Sequence, residues 1–255
     1  MGSIYSEFIK LKRSMSWAVV VLLPVMSVFA GSMGTIAAEG QFEDGWHTLW
    51  IRSIGFYGMA LLPVGIAILA SLVWRVEHKN SNWNALMSRP VSSLQVVIGK
   101  VAAVAVLSAA MQVVLLVTAI ALGKLVFGLP GMLPAEYFVS SAVIMVACVP
   151  VAALQSGLSM LMRSFGAPIA VAFVGAGAST MALLIGIKAV SVVPYAVATQ
   201  ATQLGTLLVG GRATSFDAAA ISPGSVFFLV ATALALTAVI VAGTTAILDR
   251  RDIRT

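Results

Sequence analysis

Six long apolar stretches, each about 18 residues or more, divide this sequence and leave it few ways to fold. They run roughly over Trp17–Gly34, Ser53–Trp74, Val97–Gly123, Phe138–Met162, Gly166–Ile187 and Gly224–Leu248. Apart from Lys100, in the first turns of the third, none carries an Asp, Glu, Lys, Arg or His. About 20 apolar residues in a helix cross about 30 Å of hydrocarbon. Only 9% of the chain is charged, against 60% hydrophobic, so it lacks the polar surface a soluble fold of this size needs. The expectation is an all-α integral membrane protein with six transmembrane helices in a single membrane domain over 1–255.

The first stretch follows Lys10, Lys12 and Arg13 and so resembles a signal peptide. Gly31–Ser32–Met33–Gly34 is a poor cleavage site, and the reading is a retained span. Basic residues fix the orientation. Lys10, Lys12, Arg13, Arg75, Lys79, Arg89, Lys100, Arg163, Arg250, Arg251 and Arg254 fall on one side of a six-span layout. Arg52, Lys124, Lys188 and Arg212 fall on the other, with five of the nine acids. The basic side is the cytoplasm, with both termini in it. The net charge of +6 reflects topology; no basic stripe with interleaved aromatics points to nucleic acid.

Residues 1–15 place Ile4, Tyr5, Phe8, Leu11 and Met15 on one helical face, the pattern of an interfacial helix; a frayed terminus is the alternative. Trp46 and Trp50 lie in an outer loop and suit the head-group level. The third stretch is longer than a bilayer, and its first turns, with Lys100, project into the cytoplasm. Pro24, Pro63 and Pro150 bend their spans. The fifth span is dense in small residues and is expected to be buried against other helices. Segment 188–223 is outside yet apolar. Pro194 to Val209 reads as a helix ended by Gly210–Gly211, within an outer re-entrant segment; a seventh partial span is the alternative.

Catalytic signatures are missing. Gly99–Lys100 and Gly123–Lys124 are not followed by Ser or Thr, so neither completes a phosphate-binding loop. His47 and His78 fall on opposite sides, so no zinc pair and no metal site is expected. Cys148 reads as a small buried apolar residue. Ion-driven carriers keep ionisable groups at membrane depth, and these spans have none there. Energy for any transport must then come from a partner. Gln112 and Gln155 are the most polar residues within the spans, and each either ties helices together or lines a substrate path.

Between the second and third spans, Glu77 to Pro90 reads E-H-K-N-S-N-W-N-A-L-M-S-R-P. Trp83, Leu86 and Met87 share a helical face, with Glu77 and Arg89 at its polar margins. Such a short amphipathic helix fits a groove on a soluble partner, or lies on lipid.

These stretches carry a resemblance. Glu7–Phe8–Ile9–Lys10–Leu11–Lys12–Arg13–Ser14 is similar to the opening E-x-x-K-x-K-R-S of the permease subunits of ABC type-2 exporters, in the branch of bacitracin-resistance and lantibiotic-immunity permeases. Glu77, Trp83, Leu86 and Pro90 are similar to its E-x(5)-W-x-x-L-x-x-x-P loop, and Gly99–Lys100 to the G-K that opens its third span. The resemblance implies that 75–90 carries a coupling helix, with Glu77, Trp83, Leu86, Met87 and Arg89 docking on a separate cytoplasmic ATPase. It implies a second permease chain, identical or related, two ATPase copies, and re-entrant helices within 188–223. ATP and Mg would be bound by that partner and no cofactor by this chain. The setting would be a bacterial plasma membrane and the cargo an amphipathic or peptide antibiotic or toxin. A secondary carrier, and a scaffold or sensor without transport, are the competing readings.

Overall fold

The computed structural model describes residues 15–78, 91–205 and 221–252, all in helices and short connections, with no strand among them. The helices are α1 (Ser16–Glu39), α2 (Trp46–Phe56), α3 (Leu62–His78), α4 (Ser93–Ala121), α5 (Ala135–Leu161), α6 (Gly166–Leu184), α7 (Pro194–Thr202) and α8 (Pro223–Asp252). One π-helical turn, Tyr57–Leu61, joins α2 to α3; another, Leu122–Val126, extends α4. Among the described residues, six helical stretches are long and apolar enough to cross a membrane: Ser16–Glu39, Trp46–His78, Ser93–Val126, Ala135–Leu161, Gly166–Leu184 and Pro223–Arg250. The protein is therefore a multi-pass membrane protein. The N-terminal interfacial helix, residues 79–90 of the 75–90 segment and residues 206–220 of the 188–223 segment lie outside the described residues.

Local chemistry sets the boundaries. Gly40, at φ 75°, closes α1 in the left-handed region that glycine enters without a Cβ penalty, and its N–H bonds the Ile36 carbonyl. The Ser92 hydroxyl caps α4 by accepting from the Gln95 N–H at 3.3 Å. Pro194 opens α7 at a position where a missing N–H costs nothing. The π turn at Tyr57–Leu61 immediately precedes Pro63, which has no N–H to donate back along the helix; a widened turn accommodates that loss without ending the span.

α5 is the centre of the bundle and packs against α8, α4, α3 and α7. α1 lies against α4 and α2, and α6 against α3 and α7. Gly31 lets α1 approach so closely that a Cβ there would meet the Arg52 carbonyl oxygen at 2.5 Å.

Three expectations need correction. The second span starts at Trp46 rather than near residue 53. Trp46 and Trp50 are buried in α2 instead of standing in a loop, because Trp50 stacks on Tyr137 and the Trp46 indole N–H donates to the Pro130 carbonyl at 2.7 Å. The helix from Pro194 stops at Thr202, short of Val209, with Gly205 at φ 84° just beyond. Among the described residues the small-residue span is covered on one face only: α6 buries Pro168, Ala172, Ala176, Ser179 and Thr180, while Phe173, Val174 and Met181 are exposed. Small side chains permit close approach, and here only one narrow face uses it.

Candidate functional site at the basic end of the bundle

The last turns of α3 and the first turns of α4 meet at one end of the bundle. Val73, Trp74 and Glu77 recur at helical spacing and point inward, while Arg75 and Val76 point outward. On α4, Val96, Val97, Lys100, Val101 and Val104 form the facing buried row. The consequence is a buried ion pair. Lys100 Nζ lies 3.1 Å from Glu77 Oε1, with side chains 1% and 5% exposed. The ammonium also donates to the Val73 carbonyl at 3.3 Å and sits 4.7 Å from the centroid of the Trp74 ring. An isolated buried charge would be prohibitive; this one has a counter-ion, a carbonyl and an aromatic face.

α5 completes the cluster. The Trp74 indole N–H donates to Ser156 Oγ at 3.3 Å, and His78 Nε2 to the Ser159 carbonyl at 2.8 Å. The Ser71 and Ser159 hydroxyls lie 3.4 Å apart. Three helices are thus locked together at the point where the chain enters residues 79–90.

This geometry revises two expectations. Glu77, expected at the margin of the docking face, is turned inward and paired with Lys100. Lys100 does not project into water; about 10 Å along α4 from its start at 1.5 Å per residue, it is enclosed by α3. The spans are therefore not free of charge, but the two charges neutralise each other. Trp83, Leu86, Met87 and Arg89 lie outside the described residues.

Gln112 and Gln155 are each fully buried within the chain's own packing. Gln112 Nε2 donates to Ser141 Oγ at 3.1 Å, tying α4 to α5. Gln155 Nε2 donates to the Tyr195 hydroxyl at 2.5 Å, tying α5 to α7. Burial pushes the Tyr195 phenol up to about 12, against the opposing effect of that hydrogen bond. The two glutamines are not brought together.

Sequence reasoning missed a polar recess between α6, α7 and the π turn. Thr180 and Thr199 place buried hydroxyls with no hydrogen-bond partner among the described residues there, beside Met59 and Gln200 around a cavity of about 40 Å³. Its sequence signal is faint: a few hydroxyls and amides scattered through apolar stretches. It also missed the Glu77–Lys100 pairing, whose signal is one acid and one base at the margins of neighbouring spans.

The opposite end is built from aromatics. Tyr137 stacks on Trp50 at 5.2 Å between centroids and is hydrogen-bonded to His47 Nδ1. Phe42 meets Phe127 edge-on at 4.8 Å, and Arg52 pairs with Glu39 at 2.6 Å, both partly exposed. No group of three or more His, Cys, Asp or Glu capable of holding a metal occurs among the described residues.

Residues 3–179 match the family model described as ABC-2 family transporter protein. No curated protein and no solved structure matches the chain. The match includes both partners of the buried ion pair and the whole connection between them. Members of this family are membrane transport components, not ATPases themselves, and work with an ABC ATPase subunit. The match covers more than two thirds of the sequence, and the chain belongs to the ABC-2 transporter family.

Proposed function

We propose that this chain is the permease half of an ATP-driven exporter, with residues 75–89 as the segment that docks on the ATPase. The observation that carries the reading is the buried Glu77–Lys100 pair, which ties together the two helices on either side of the 79–90 connection. A coupling segment must transmit force. A segment rooted in a saturated, three-helix cluster moves with those helices rather than independently of them. In this reading Glu77 is the inward anchor. Trp83, Leu86 and Met87 enter an apolar groove of the ATPase, and Arg89 meets its rim.

The working unit is two permease chains, identical or related, with two ATPase copies that bind ATP and Mg. The basic end faces the cytoplasm of a bacterium, with both termini there. Residues 1–15 lie at the membrane surface and 188–223 dips in from outside. The cargo is amphipathic, of the peptide-antibiotic or toxin class, as in the bacitracin and lantibiotic branch. Apolar helix faces with a few buried hydroxyls, Thr180 and Thr199 among them, suit such molecules. Gln112 and Gln155 serve as ties between helices.

Trp83→Ala combined with Leu86→Ala tests the docking assignment. Burying one Leu-sized side chain contributes about 1.5–3 kcal/mol, so the pair of substitutions should strip the ATPase from the permease during purification while membrane insertion holds. Undiminished co-purification and ATPase stimulation would sink it, and would favour a membrane protein that docks its partner elsewhere.

A further inference from the structure

A second feature lies at the basic end, beside the ion pair but separate from it. The ends of α3 and α5 and the start of α6 enclose a cavity of about 160 Å³ lined by Arg75, His78, Met162, Arg163, Ser164 and Phe165, among others. Arg75 and Arg163 are both exposed, and neither has a carboxylate partner among the described residues. The one acid on α3, Glu77, is turned away and neutralised by Lys100. Arg75 lies over the Phe165 ring at 5.7 Å from its centroid, which restrains the guanidinium without consuming its hydrogen-bond donors.

We propose that this cavity binds the phosphate of an anionic amphipath, a phosphodiester lipid head group. Three arguments converge. Two guanidinium groups with free donors beside one recess match a phosphate, which accepts paired hydrogen bonds from the planar fork. The start of α6, with no side-chain cap at Phe165, adds partial positive charge to the same side. The recess is bounded by the termini of membrane-spanning helices, which places it at head-group level, and Phe165 and Met162 offer an apolar wall for the first part of an acyl chain. Basic recesses between helix ends in this position hold lipid phosphates. Because Arg75 shares α3 with Glu77, an occupied site bears on the same helix end that anchors residues 79–90. The inference does not depend on the cargo or on the docking assignment.

The test uses the purified full chain in detergent, incubated with mixed micelles of phosphatidylcholine and phosphatidylglycerol. Retained phosphatidylglycerol is counted by native mass spectrometry. Arg75→Gln with Arg163→Gln should lower retention about tenfold or more. Ser164→Trp, which fills the cavity mouth and leaves every charge in place, should also lower it. Arg250→Gln, another exposed arginine outside the cavity, should leave it unchanged. Thermal protection separates the sources of phosphate. Stabilisation by phosphatidylglycerol but not by inorganic phosphate assigns the lipid, and the reverse assigns a free phosphate compound to the same cavity. No protection by either would overturn the proposal. So would an Arg250→Gln effect equal to that of the double variant, or lipid retention left unchanged by Arg75→Gln with Arg163→Gln.

Discussion

The two ends of the bundle are closed by different physics. At one end, α3, α4 and α5 are joined by a buried ion pair, an indole donor and a histidine on a backbone carbonyl. At the other, α2 and α5 are joined by a stack of Trp50, Tyr137 and His47, and an ion pair there, Arg52 with Glu39, is about one-third exposed on both sides. Aromatic packing contributes in proportion to what is buried and degrades gradually. A buried charge pair is nearly neutral while intact and strongly destabilising once one partner is gone. The first end therefore behaves as a unit that holds or fails together, which suits the root of a force-bearing segment. The second behaves as a packed cap.

The sharpest way to break this contrast is to strand one charge. Lys100→Met takes from the buried Glu77 carboxylate its partner on α4 and should cost about 3–5 kcal/mol, seen as a lowered melting temperature of the detergent-solubilised chain. Glu77→Leu with Lys100→Met should recover most of that loss, because two apolar side chains of similar size replace the pair. If the single and double variants melt alike, the pair is not the unit described.

At the aromatic end the same measurement should give a smaller, graded response. Tyr137→Leu removes the stack on Trp50 and the contact with His47 and should cost about 2 kcal/mol, with Tyr137→Phe keeping the stack and losing less. Arg52→Gln should cost less than about 1 kcal/mol, as exposed pairs do. A Tyr137→Leu loss as large as that of Lys100→Met would erase the distinction.

Smallest of all should be the polar ties in the interior. Gln112→Leu gives up one hydrogen bond to Ser141 and, with it, an amide oxygen that has no partner among the described residues. Such bonds average about 0.6 kcal/mol in membranes, so stability should barely move. Resistance of producing cells to a panel of peptides and drugs, normalised to expression, should shift uniformly or not at all. A selective shift would return Gln112 to the cargo path.

Much of the architecture was legible because hydropathy over 20 residues is a strong signal. The six spans are in order, and the third does exceed a bilayer's thickness, with Ser93–Val126 running 34 residues. Hydropathy could not say which spans face protein. The windows that mark Ala135–Leu161 and Pro223–Arg250 as spans are about equally apolar, yet 61% of the first is buried and 11% of the second. Lipid and a protein interior select the same side chains. The start of the second span is hidden in the sequence because Arg52 and His47 look like loop residues until they are seen paired with Glu39 and Tyr137. The burial of Glu77 is hidden for the same reason: an acid beside a loop reads as solvated unless its base is known. Lys100 lies 23 residues away on the next helix, and only the antiparallel packing of α3 and α4 joins them.

The central claim, that the Glu77–Lys100 pair anchors the connection to the ATPase, is tested most directly by reversing it. ATP hydrolysis by the complex of permease and ATPase, reconstituted in vesicles, is measured for the native chain, for Glu77→Lys, and for Glu77→Lys combined with Lys100→Glu. The single variant buries two ammonium groups side by side and should lose permease-stimulated hydrolysis. The exchanged pair restores opposite charges on the same two helices and should regain a large part of it. Stimulation that survives Glu77→Lys, or that stays lost in a properly inserted exchanged variant, would contradict the account.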